Sequence, residues 1–198
     1  MAPDSAPDPI VVALSFTALL ERLGIRYVVG GSLASSLHGE PRSTNDIDVV
    51  ADLRPAHVRP LAEALTDDYY VSIDAMSDAV TSGGAFNLIH LATGVKVDVF
   101  VAGQDPFELE RLQHGERVRL WGQDTPPIIA DTAEHTVLRK LEGYRRGGEV
   151  SERQWSDVVA ILRLHGERLD QSRLAKWAKW LGVSDLLNRA IDEARLGR

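Results

Sequence analysis

The chain has 198 residues and no cysteine. Disulfides, zinc–thiolate sites and thiol nucleophiles are therefore excluded. Long apolar runs are missing too. The stretch 10–20 is interrupted and falls well short of the roughly 20 residues that span a bilayer. The opening MAPDSAPDPI lacks the basic region of a secretory signal. A soluble cytoplasmic protein without membrane attachment is the expectation. An excess of basic residues is absent as well: 22 Lys and Arg stand against 29 Asp and Glu, a formal net charge of −7. That balance argues against a general nucleic-acid coat protein. No internal repeat or low-complexity tract is found.

What remains is ordinary globular composition, 44% hydrophobic and 26% charged, enough for one sizeable core or two small ones. The charge is uneven. Residues 1–130 carry 18 acidic and 9 basic side chains, and residues 131–198 carry 11 and 13. Residues 1–8 read as a disordered leader. Apolar spacing predicts helices over 9–23, 56–65, 74–80 and 106–113. Strands are expected at 25–29, 46–50, 69–73, 117–121 and 128–130, with a β-hairpin of 86–91 and 95–101 around Ala92-Thr93-Gly94. After residue 130 the pattern becomes helical, with Asp131 or Thr132 as a cap, Ser151 as a second cap, and further helices over 171–181 and 184–196. The fold class expected is α/β (α+β): a small mixed-sheet domain over 1–130 followed by a helical domain over 131–198.

The stretch IRYVVGGSLASSLHGEPRSTNDIDVV, residues 25–50, organises the rest. A β-branched run reaches Gly30, Gly31 and Ser32, a short helix follows, and a second extended run carries Asp46 and Asp48. Alternate strand residues share a face, so the two carboxylates project together while Ile47 and Val49 enter the core. Carboxylates held that close repel one another unless a cation sits between them. A hard divalent ion such as Mg²⁺ takes oxygen ligands and shares them with phosphates. The glycines allow close backbone approach, and the amides opening the helix favour an anion. Arg42, four residues before Asp46, is placed to hold a phosphate through two parallel bonds. In the run 95–101, Lys96, Asp98 and Phe100 share one face and the valines the other. An acid in so apolar a strand is costly unless it is paired or metal-bound. Pairing with Lys96 is the alternative to metal binding.

The order apolar-Gly-Ser, then thirteen residues, then Asp-apolar-Asp-apolar resembles the signature of the nucleotidyltransferase superfamily, of polymerase β-like fold. The wording GGSLASSLHGEPRSTNDIDVV is similar to the small bacterial subgroup that includes AbiEii-type toxins. The resemblance implies a third carboxylate on a later strand, matched by Asp98. It also implies Asp46 and Asp48 on the metal that carries the triphosphate, and all three acids on a second Mg²⁺. Asp98 would serve as base, with Gly30, Gly31 and Ser32 around the phosphates of a nucleoside triphosphate. In the stretch HTVLRKLEGYRRGGEVSERQWSDVVAIL the resemblance assigns Lys140 and Asp157 to the active site, with an ordinary interhelical salt bridge as the alternative. Electrostatics alone would accept one metal.

The function implied is transfer of a nucleoside monophosphate from the triphosphate to an acceptor hydroxyl, on tRNA or on protein, with an antitoxin as partner if the toxin likeness holds. Two other readings stand beside it. One is a non-catalytic binding or regulatory module of the same fold. The other is an aminoglycoside-type transferase, which the acidic first half would suit. Metal-dependent glycosyltransferases also use Asp-X-Asp, and dinucleotide enzymes a glycine-rich turn, but GGSLAS lacks G-X-G-X-X-G spacing.

Overall fold

The computed structural model describes residues 8–41 and 43–196. Alternating β-branched residues build its sheet. The strands are β1 (Tyr27–Val29), β2 (Asp46–Ala51), β3 (Tyr69–Tyr70), β4 (Ala85–His90), β5 (Lys96–Val101), β6 (Glu116–Val118) and β7 (Ile128–Ala130). Among the described residues they form one seven-stranded sheet in the order β3-β4-β5-β2-β1-β7-β6. The pairs β2–β5 and β1–β7 are parallel and the others antiparallel. The helices are α1 (Asp8–Arg22), α2 (Gly31–His38), α3 (Pro55–Leu65), α4 (Ile73–Ser82), α5 (Pro106–His114), α6 (Ala133–Arg146), α7 (Glu152–His165), α8 (Gln171–Trp180) and α9 (Ser184–Leu196). This is the mixed α/β architecture that the apolar periodicities predict. No described helix is long and apolar enough to cross a membrane.

Two compact units divide the described chain, residues 8–32 with 43–130 and residues 33–41 with 131–196. In the first, Ile47, Val49, Leu88, Val97 and Val99 are fully buried on one face of the sheet. Each such side chain contributes about 1.5–3 kcal/mol. On the opposite face Val28 and Val50 pack with Leu112 of α5 and with Ile129. Asp105 caps α5, its carboxylate accepting from the amides of Phe107 and Glu108 at 2.8 and 3.0 Å.

In the second unit, Thr132 caps α6 and Ser151 caps α7, each hydroxyl accepting from an amide three residues on. Leu138, Leu141, Val158, Ile161 and Leu174 fill its core. The segment 33–41, expected within the sheet domain, groups with these helices. His38 Nε2 lies 2.7 Å from the Asp131 carbonyl, and Gly39 lies against Ile161.

Some boundaries differ from expectation. Of the disordered leader expected over 1–8, residues 1–7 lie outside the described residues, and Asp8 opens α1. The strand expected over 69–73 stops at Tyr70, because the Ser72 hydroxyl accepts from the Ala75 amide and starts α4 at Ile73. The strand expected over 117–121 is Glu116–Val118. Beyond it, Arg119 donates to the Thr125 carbonyl and Thr125 to that of Trp121, which closes a turn.

Tyr27 yields a pH prediction. Its buried hydroxyl donates to Glu21 Oε1 at 2.9 Å and accepts from the Ile129 amide at 3.3 Å. Burial, foremost, and the Glu21 carboxylate push its pKa from 10.0 up to about 12. The folded state thus resists ionisation that the unfolded state undergoes. The associated stability is complete below the ordinary tyrosine value and is lost as pH rises from there through the folded value. That loss is about 2–3 kcal/mol. Tyr27→Phe should lower stability at neutral pH yet flatten the alkaline fall, as urea denaturation across that range would measure. An equally steep fall in the variant would show that Tyr27 does not carry it.

Candidate active site

The acids reach one place because β2 and β5 run parallel and side by side. In that ladder Asp46 stands opposite Lys96 and Asp48 opposite Asp98. Alternation puts all four side chains on the face that also carries Val50, beyond the apolar cluster around Leu112. Asn87 of β4 pairs with Asp98 from the other side. Sequence reasoning did not single out Asn87, although the hairpin register after Ala92-Thr93-Gly94 would have placed it there.

β1 brings the glycine turn to the same row. The Gly30 amide donates to the Asp48 carbonyl at 2.9 Å. That amide is engaged in the sheet, so Gly30 can serve a phosphate by close approach rather than by donation. Gly31 has a φ of +58°, and a Cβ built on it would fall 1.7 Å from Asp48 Oδ2. The residue is confined to glycine by both conformation and contact. Ser32 follows in the first turn of α2 and is half-buried. Arg42, expected to hold a phosphate, lies outside the described residues.

A positive charge already stands among the acids. Lys96 Nζ lies 2.7 Å from Asp98 Oδ2 and 3.9 Å from Asp46 Oδ1. The hydrogen bond that Lys96 donates to Asp98 raises the Lys96 pKa above its ordinary 10.5, and the charges of Asp98, Asp46 and Asp48 add to the effect. The structure shows the Lys96–Asp98 ion pair that the sequence offers as the alternative to metal binding. Among the described residues no group of three acidic or histidine side chains forms a ready-made cation cage. The donors nevertheless suit a hard divalent ion in kind: they are oxygen-only, with Asp46 59% and Asp98 24% exposed, and an ammonium serves as stand-in cation.

Lys140 and Asp157 lie in the second unit, on α6 and α7, and pair at 2.6 Å with side chains 11% and 12% exposed. This is the interhelical salt bridge weighed for them. Removing one partner of so buried a pair costs stability before anything else. Their part in catalysis therefore rests on the resemblance.

The arrangement of strands, glycine turn and co-facing acids is the nucleotidyltransferase fold. Similar solved structures share it, one of them under that description. An antigenic nucleotidyltransferase-like protein from Paracoccidioides brasiliensis aligns with a TM-score of 0.58 and 19% identity over 96% of this chain and 95% of its own. The antibiotic-resistance factor ANT(2'')-Ia aligns in complex with adenylyl-2''-tobramycin at 0.55 and 12% identity, over 88% of this chain and 97% of its own. Its solution structure aligns at 0.52 and 16%, over 96% and 98%. No family model and no curated protein sequence matches the chain.

Proposed function

We propose that this protein is a Mg²⁺-dependent nucleotidyltransferase that moves a nucleoside monophosphate from a nucleoside triphosphate to an acceptor hydroxyl. The observation that carries the reading is the pairing of Asp48 with Asp98 on adjacent parallel strands, with Asp48 packed against Gly31. The acceptor oxygen attacks the α-phosphorus, the bond to the β-phosphate oxygen breaks, and pyrophosphate leaves. Asp98 takes the acceptor's proton. Asp46 and Asp48, with Asp98, would hold one or two divalent ions, which supply charge neutralisation on the phosphates. Gly31 and Ser32 let the polyphosphate approach the backbone at the start of α2, and Arg42 would clamp it. Lys140, oriented by Asp157, would offset charge on the leaving pyrophosphate.

The resemblance to AbiEii-type toxins favours tRNA or protein as acceptor and an antitoxin as partner, in the cytoplasm. A small cationic antibiotic is the second reading. It draws on the likeness to ANT(2'')-Ia and on the 18 acidic against 9 basic residues of the first 130. The test is incubation with each α-labelled nucleoside triphosphate and Mg²⁺, offering total tRNA, cell-lysate protein and an aminoglycoside panel. Label transferred to one acceptor class names it. Failure of transfer, together with no calorimetric binding of any Mg²⁺–nucleotide, would replace the enzyme by a non-catalytic module.

A further inference from the structure

Lys96 stands inside the carboxylate constellation yet has no part in the chemistry above. It faces Asp46 across the β2–β5 ladder and precedes Asp98 by two residues, so it shares the face of all three acids. We propose that Lys96 is a displaceable internal counter-ion, whose ammonium holds Asp98 and Asp46 before loading and yields them to the divalent ion. The inference rests on the cation-binding reading of the three acids.

Three observations carry it. First, neighbouring carboxylates on adjacent strands repel, and an ammonium 2.7 Å from Asp98 and 3.9 Å from Asp46 relieves the repulsion from within the chain. Second, the Lys96 side chain is 39% exposed. An ion pair that open to water is weak, so exchange is easy. Third, the Lys96 amide donates to the Asn45 carbonyl at 3.2 Å, which anchors the backbone. Displacement then needs only rotation of a flexible four-carbon stem, and the strand that carries Asp98 stays in place.

A counter-ion that competes makes an ordered prediction. Lys96→Met removes the competitor at nearly constant length. Lys96→Arg supplies a planar fork that grips carboxylate more firmly. Mn²⁺ affinity of the full chain without nucleotide, read by electron paramagnetic resonance, should rise about three- to fivefold in Lys96→Met. It should fall below the unsubstituted value in Lys96→Arg. The Tm of metal-free Lys96→Met should be lower, and the rise on adding Mg²⁺ larger, than in the unsubstituted protein.

Unchanged affinity in Lys96→Met would overturn the proposal, since nothing would then have been displaced. Weaker binding would also overturn it, by making Lys96 a support for the ligand set. Asp48→Asn separates the levels. If it abolishes Mn²⁺ binding while Lys96→Met leaves affinity unchanged, only the counter-ion falls. Mn²⁺ binding that survives Asp48→Asn, or none in the unsubstituted protein, would overturn both the counter-ion and the metal site beneath it.

Discussion

Asp48→Asn should lower nucleotidyl transfer by about three orders of magnitude while leaving the protein folded. Charge neutralisation at phosphate by a bound divalent ion contributes several kcal/mol, and each 1.36 kcal/mol is tenfold in rate. Asparagine keeps the shape that packs beside Gly31 and removes only the charge and one ligand oxygen. Its effect on stability has the opposite sign. Asp48 faces Asp98 across the ladder, so loss of one charge relieves repulsion, and the metal-free Tm should hold or rise. Activity lost at equal or higher stability is the mark of a residue kept for chemistry. Single-turnover transfer of labelled monophosphate and a thermal melt of the same sample measure both. A rate within about threefold of the unsubstituted enzyme at equal Mg²⁺ would remove Asp48 from the mechanism.

Gly31→Ala tests the same carboxylate from the opposite side. Its φ of +58° lies in the left-handed region, where a Cβ costs roughly 1–2 kcal/mol. The added atom would sit 1.7 Å from Asp48 Oδ2, 2.5 Å from its Cγ and 2.9 Å from its Cβ. Turning the carboxylate away satisfies the first two contacts and leaves the third, so β2 and the turn must also part. A loss of about 1–3 kcal/mol in urea denaturation is expected. Transfer should fall by about 10²-fold, the cost of misplacing a reacting group by about 1 Å. Unlike Asp48→Asn, this variant should lose stability and activity together. Unaltered values for both would mean that Asp48 points elsewhere.

How much of this was legible beforehand depends on the range of the forces involved. Alternation is local, so the shared face of Asp46 and Asp48, and of Lys96 and Asp98, follows from the residues alone. Register between β2 and β5 is not local. The two strands are parallel and joined by a long crossover, so packing decides whether Asp98 meets Asp46 or Asp48. The same register decides that one lysine reaches both Asp98 and Asp46, so the residues alone leave the ion pair and metal binding as alternatives. Cap residues also act locally, and Thr132 and Ser151 stand where the pattern puts them. Ser72 is a cap of the same local kind, and it ends β3 sooner than the apolar run alone predicts. The grouping of residues 33–41 with the helical unit depends on contacts of His38 and Gly39 with residues far along the chain, which no local pattern encodes.

The parallel pairing has a consequence for folding kinetics. Asp48 and Asp98 lie 50 residues apart, so their pairing closes a long loop. Closing so long a loop is a slow, entropy-limited event, and the charges oppose its last step. The apolar pairs Ile47–Val97 and Val49–Val99 reward the closure, so the acids between them are expected to settle last, on the native side of the barrier. A cation held there would then slow escape from the folded state and leave the rate of reaching it unchanged, as stopped-flow refolding and unfolding with and without Mg²⁺ would measure.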